Sequence, residues 1–198
     1  AAGSVGFSPA STAFTNYYYA VWGNNNSNGV LCQGNTTGLT SPVQFGNHIW
    51  KYVRGGPMEA ANHIGGIKTD GTLWMCGLNA DGELGIGSTT SQSSPVQVGS
   101  ATTWNQLSLG RYHTVAIKTD GTLWTWGKGT YGRLGDGDGS DHDEDEPIQV
   151  GSDTDWGDGE YSIENNSRIA GGDDHTMVIK KDGTLWAFGV GEYGQLCT

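Results

Sequence analysis

The sequence lacks most of what would place it in a membrane, on nucleic acid or around a metal. It has no run of about 18 or more apolar residues, so a transmembrane helix is not expected, and no secretory leader is visible. Lys and Arg number 10 against 21 Asp and Glu, and a nucleic-acid surface needs a basic footprint. The 3 cysteines make an odd count without metal-type spacing. No nucleophile elbow, His-Glu metal motif or phosphate loop is present. Two carboxylates at a set separation can make a glycosidase, but nothing singles out a pair, and the chain reads as a non-enzyme with no cofactor.

Apolar content is only 35%, which would argue for a thin core. Against that stand 8 Trp and 8 Tyr among 34 Gly. Each buried aromatic covers a large area, and periodic Gly with aromatics fits tightly stacked sheets. The periodicity is explicit. I-K-T-D-G-T-L-W occurs at 67–74 and 117–124, and I-K-K-D-G-T-L-W at 179–186. Each copy is preceded by a histidine (His63, His113, His175) and contains a tryptophan (Trp74, Trp124, Trp186). The first two histidines lie 50 residues apart, as do the first two tryptophans; from Trp124 to Trp186 the step is 62. An array of small supersecondary modules follows from such self-similarity.

Inside each module an Asp-Gly pair separates two β-prone runs, ending in Gly71, Gly121 or Gly183, and this is a strong hairpin signal. A second block, Pro-(Val/Ile)-Gln-(Phe/Val)-Gly, ends at positions 46, 99 and 151, with Trp50 and Trp104 soon after it and Trp156 in a similar place. Each unit therefore holds about four short strands, enough for one propeller blade. Residues 17–23 align with 121–127, so the first unit begins in mid-blade. The fourth reaches Leu196 without the Pro-x-Gln-x-Gly block. We expect an N-terminal arm or linker over 1–15, a strand of which could pair elsewhere. A repeat domain over 16–198 follows, with units near 16–49, 50–103, 104–155 and 156–198. The fold class is all-β: a β-propeller-type array of about four blades, three full repeats plus a strand pair. A closed four-bladed ring, a ring completed by another copy and a stretch of a longer array all stay open, the partial or partner-completed forms being favoured. The first residue is Ala, which fits a processed chain or part of something longer.

The pattern G-x-x-H-[TS]-x-x-[IV]-K-x-D-G-T-L-W-x-W-G-x-x-x-x-G-x-L-G-x-G resembles the repeat of the regulator of chromosome condensation family. The resemblance covers Tyr17 to Thr198 and implies a β-propeller, usually seven-bladed, with about fifty residues per blade. It also implies protein partners, and for some members nucleotide exchange on a small GTPase. Similar repeats in bacteriophage surface proteins, together with the Asn/Gly-rich loops and acidic surface, imply an extracellular or virion setting. In a light-sensing branch a Trp stands where this chain has Arg111, so no photochemistry carries over.

Candidate sites are few. His63, His113 and His175 recur in register; as a metal trio they would have to converge on one ion, and a structural bond between strands to backbone is the stronger expectation. The run Asp136, Asp138, Asp141, Asp143, Glu144, Asp145, Glu146 offers oxygen ligands of the kind Ca²⁺ takes. It lacks EF-hand order and reads first as a solvated loop. Trp156 and Tyr161, in the inserted loop, are the aromatic binding candidates, for a protein or a surface glycan. Cys76 stands where other units have Trp126 and Phe188 and reads as a core filler. Cys32 and Cys197 both follow Leu where another unit has Gly135, and a bond between them is left open. The leading function is a non-enzymatic interaction or structural module that binds a protein partner or further copies of itself. The alternatives are nucleotide exchange and a carbohydrate-binding or enzyme-inhibitor propeller.

Overall fold

The computed structural model describes residues 19–25, 28–45, 48–56, 62–138, 140–157 and 167–196. The arm over 1–15 lies outside them. The described chain is all-β, with thirteen strands and one short 3-10 turn at Thr130–Gly132. The strands form four antiparallel sheets, one per sequence unit. The first blade holds β1 (Ala20–Gly23) and β2 (Leu39–Gln44); the second holds β3 (Trp50–Gly55), β4 (His63–Lys68), β5 (Leu73–Gly77) and β6 (Gln92–Gln97). The third holds β7 (Trp104–Leu109), β8 (His113–Lys118), β9 (Leu123–Lys128) and β10 (Asp143–Gln149); the fourth holds β11 (Ile169–Gly171), β12 (His175–Ile179) and β13 (Leu185–Gly189). Strands run in sequence order across each sheet.

The Asp-Gly turn builds each hairpin the same way. Asp70 Oδ1 accepts bonds from the Thr72 amide and hydroxyl (3.0 and 2.6 Å), and the Trp74 indole donates to the same hydroxyl (2.9 Å). Asp120, Thr122 and Trp124 repeat the set, as do Asp182, Thr184 and Trp186. These bonds hold the Asp70, Asp120 and Asp182 carboxyls below the usual carboxylate range. Gly121 sits at φ +81°, and a Cβ there would land on the Thr154 carbonyl at the head of the next blade. The glycine thus serves both the turn and the blade-to-blade approach.

The second, third and fourth blades each close around a lysine between two indoles. The Lys68 Nζ lies 3.4 Å from the Trp74 ring centre and 5.8 Å from that of Trp50; Lys118 lies 3.5 Å from Trp124 and 4.8 Å from Trp104. In the fourth blade Lys180 lies 4.5 Å from Trp156 and 5.0 Å from Trp186. Trp156 is therefore the counterpart of Trp50 and Trp104. It is buried, bridges Lys180 and packs in one cluster with Val115, Ile117, Leu123 and Val178. The expectation of a loop-borne, ligand-accessible Trp156 is corrected: the residue opens the fourth blade, and the insertion follows it. Tyr161 lies outside the described residues.

The cores sit between blades, not within them. Leu73 and Met75 of the second blade pack with Leu107, Ala116 and Trp126 of the third. Val21 and Leu31 of the first blade meet Ile64 and Cys76 of the second.

Candidate functional site

Two of the recurring histidines, His63 and His113, form buried relays at the junctions; His175 is half-buried. The Thr114 hydroxyl donates to the Glu83 carbonyl (2.8 Å), which leaves its oxygen to accept from His63 Nε2 (3.2 Å). The Thr176 hydroxyl donates to the Arg133 carbonyl (3.1 Å) and accepts from His113 Nε2 (2.9 Å). This network assigns the Nε2–H tautomer to both rings. Burial pushes the His63 pKa down to about 4 and the His113 pKa to about 3, the latter aided by the nearby Arg133 charge. Both rings are neutral struts. At His63 and His113 the Nε2 partner is a threonine hydroxyl of the following blade where a backbone group was expected, and the hydroxyl hands the bond on to a carbonyl. Where the second blade meets the first, Ile64 occupies the threonine place. Among the described residues no three His, Cys, Asp or Glu side chains are grouped to hold a metal ion.

The cysteines are corrected too. Cys32 and Cys76 form a disulfide with 5.8 Å between their Cα atoms. Its logic appears on comparing junctions. At the next two junctions a left-handed glycine lies under an aromatic ring, Gly85 (φ +67°) under Trp126 and Gly135 (φ +67°) under Phe188. Cys32 holds that backbone conformation (φ 59°), and Cys76 stands at the ring's position. A covalent bond replaces ring-on-glycine packing. Both alignments are visible in the sequence; what reveals the pairing is that the two positions face each other across a junction. Cys197 lies outside the described residues.

The acidic run is corrected from loop to half loop and half strand, since Asp143–Gln149 is β10, the outer strand of the third blade. Asp138, Asp141, Asp143, Asp145 and Glu146 are exposed, and Asp136 and Glu144 are half-buried. The carboxylates do not form an oxygen cage. They gather on His142, whose Nε2 lies 2.8 Å from Asp136 and 3.5 Å from Glu144, with Asp138 at 3.8 Å from Nδ1. The Ser140 carbonyl at 3.0 Å and these charges raise the His142 pKa. Asp141 accepts a bond from the Tyr131 amide and Asp143 one from the Gly129 amide, both 3.1 Å.

These bonds fix a rim that sequence reading missed. Tyr131, at φ 64°, is 67% exposed. Tyr193, at the equivalent loop position of the fourth blade, is 88% exposed. Beside Tyr131 opens a cleft of about 460 Å³ lined by Gly135, Asp136, Asp141 and Phe188. An aromatic wall with carboxylates at its edge attracts cations through the ring face and through charge. The one signal in the sequence was Tyr at both positions against Asp81 in the second blade.

Successive antiparallel blades of up to four strands, packed on one another through recurring junction sets, define a β-propeller repeat protein. Residues 70–117 and 120–179 match the profile of the Regulator of chromosome condensation (RCC1) repeat, and 104–133 and 167–195 match a second profile of that repeat. The chain belongs to the RCC1 repeat family. It is 31% identical to the Ultraviolet-B receptor UVR8 of Arabidopsis thaliana over 180 residues, which is 88% of this chain and 38% of that protein. Among solved structures, Prp20p of Saccharomyces cerevisiae is similar with a TM-score of 0.71 at 18% identity, over 91% of this chain and 43% of that one. Yeast RCC1 (Prp20) with Kap60 gives 0.68 at 17%, over 92% and 46%; human WBSCR16 gives 0.61 at 18%, over 87% and 44%. The chain spans less than half the length of these relatives. Among the described residues no helix is long and apolar enough to cross a membrane.

Proposed function

We propose that the chain is a non-enzymatic interaction module whose aromatic–acidic rim on the third blade holds a protein partner through a basic segment, in an extracellular or virion setting. The observation that carries it is the cleft beside Tyr131, with Asp136 and Asp141 at its edge and Phe188 in its wall. Between Arg133 and Arg168 the sequence has 12 acidic residues and neither Lys nor Arg, so the field there has one sign. The Cys32–Cys76 bond supports the setting, because disulfides persist where the surroundings are oxidising. Titration calorimetry with Lys/Arg-rich and neutral peptides tests the reading. Binding of the basic peptides should weaken with salt and fall about tenfold in Tyr131→Gly, which keeps the backbone angle and removes the ring. Equal affinity for neutral peptides, or no effect of the substitution, would refute it.

A second reading, guanine-nucleotide exchange on a small GTPase, draws support from the likeness to Prp20p, whose structure was described with its binding to Gsp1p and histones. Accelerated release of labelled nucleotide from any of a panel of small GTPases would establish it over the first.

A further inference from the structure

One carboxylate belongs to two structures at once. Asp136 lines the cleft beside Tyr131, and its Oδ2 lies 2.8 Å from His142 Nε2. The other ring nitrogen, Nδ1, faces both polar groups of Ser140, the carbonyl at 3.0 Å and the hydroxyl at 3.2 Å. That seat suits either charge state of the ring. As an imidazolium, His142 donates Nε2–H to Asp136 and Nδ1–H to the Ser140 carbonyl. As a neutral ring it keeps Nε2–H on Asp136, and the Ser140 hydroxyl rotates to donate to the bare Nδ1. The proton that comes and goes is the one on Nδ1, and neither state breaks the contact with the cleft.

Three carboxylates face the ring, Asp136 and Asp138 from its own loop and Glu144 from β10. The cations on the elements packed beside it, Lys128 of β9 and Arg133 of the 3-10 turn, are tied to Asp81 (3.4 Å) and Asp174 (3.0 Å). Asp141 and Asp143 are held by the Tyr131 and Gly129 amides, and Asp145 and Glu146 lie against Gly82 and Gly87 of the second blade. The imidazolium is thus what offsets the carboxylates at this end of the cleft. Provided the rim takes a basic segment, as proposed above, we infer that the cleft exchanges a proton for its ligand: a Lys or Arg side chain seated between Tyr131 and Asp136 displaces the Nδ1 proton of His142 to solvent, so that the partner is held in neutral to alkaline surroundings and released in acid. Ligand and imidazolium compete for the same carboxylate and repel each other at short range. The site carries one positive charge before the exchange and one after it. Linkage makes the effect reciprocal: whatever the ligand takes from the proton affinity of His142, protonation takes from the affinity for the ligand. The Ser140 carbonyl and the carboxylates raise the His142 pKa above 6.5 in the free chain, so acid conditions find the ring charged.

The test is titration calorimetry of an acetylated tetralysine amide against the full chain, at fixed ionic strength, at about pH 5.5 and about pH 8.5, a window in which carboxylates and lysines keep their charge. Two buffers of different ionisation enthalpy count the protons released. We expect binding about tenfold weaker at the lower pH, which corresponds to a fall of about one unit in the His142 pKa on binding, and up to one proton released per peptide. The affinity of a His142→Gln chain should hardly change over the same range. In the wild-type chain, NMR should show the His142 titration moving to lower pH when peptide is bound, a readout that needs no variant to fold. Wild-type affinity independent of pH, a His142→Gln chain as sensitive to pH as the wild type, or a His142 titration that the peptide leaves in place overturns the exchange and spares the rim as a binding site. Absence of binding at both pH values overturns the rim as a binding site and the exchange with it.

Discussion

Reducing the Cys32–Cys76 bond should destabilise the protein by a calculable amount. The cysteines are 44 positions apart in sequence. Loop-closure entropy for a ring of that size is about 13 cal/mol/K, or about 4 kcal/mol at 25 °C. Reduction should also strand Cys32 at φ 59°, a conformation that only glycine adopts without cost. For a chain of this length the loss should lower the thermal midpoint by about 10 °C. Calorimetry with and without reductant, and of Cys32→Ser/Cys76→Ser, reads it directly. Thiol titration of the unreduced, denatured chain should find one free thiol, from Cys197. The junction comparison adds a sharper arm: Cys32→Gly/Cys76→Trp installs the ring-on-glycine pair found at Gly85 and Trp126. That variant should recover part of the lost stability, where the Ser pair recovers none. A midpoint indifferent to reductant would refute the bond, and a Gly/Trp variant no better than the Ser pair would refute the equivalence of the junctions.

Four further outcomes are expected. His63 and His113 titrate in the fold near 4 and 3 against 6.5 unfolded, so the stability they permit is complete above pH 6.5 and drains as pH falls below it. Each should cost roughly 2–3 kcal/mol by pH 4, and urea melts of His113→Gln should show a flatter acid limb. His142 has the opposite sign: its raised pKa gives stability that is full below 6.5 and lost as pH rises through the folded value, and an NMR titration should show Asp136→Asn lowering that value. Gly121→Ala should cost at least about 2 kcal/mol, since its Cβ meets the Thr154 carbonyl, while Gly183→Ala, with nothing within 4 Å, should cost about 1 kcal/mol for its positive φ; equal values by denaturant titration would contradict the carbonyl contact. Hydrogen exchange should be fastest in β13 among the hairpin strands, because nearest-neighbour contacts set the stability of stacked repeats.

What the sequence made legible was everything with a local cause. The Asp-Gly turns, the strand pair around each and the outer strand at Pro-x-Gln-x-Gly all rest on residues a few positions apart, and all stand where the pattern put them. Even the mid-blade start was readable, since residues 17–23 align with a third strand and Ala20–Gly23 form one. What was not legible lies across junctions. The period says that His63 recurs as His113; it does not say that the ring reaches Thr114, 51 residues away. It aligned Cys32 with a glycine and Cys76 with a tryptophan without showing that those two places touch. Trp156 was misplaced because the insertion that follows it breaks the first strand of its blade, so its lysine partner was hidden from local pattern. The acidic run was misread because charge argues for solvent, whereas outer-strand geometry leaves one face wet and lets β10 carry acids while pairing with β9.

The repeated residues therefore make most sense as parts of junctions, each split between two blades. One blade supplies a histidine, a leucine at the start of its third strand and a left-handed residue after Gly-x-Leu. The next supplies a threonine, the ring or sulfur that covers the left-handed residue, and a carbonyl over the turn glycine. At the second-to-third and third-to-fourth junctions both halves are present, and His63, His113, Leu73 and Leu123 are fully buried. The first junction keeps the same geometry but exchanges hydrogen bond and ring for covalent sulfur, a substitution that works only because the two halves were already in contact.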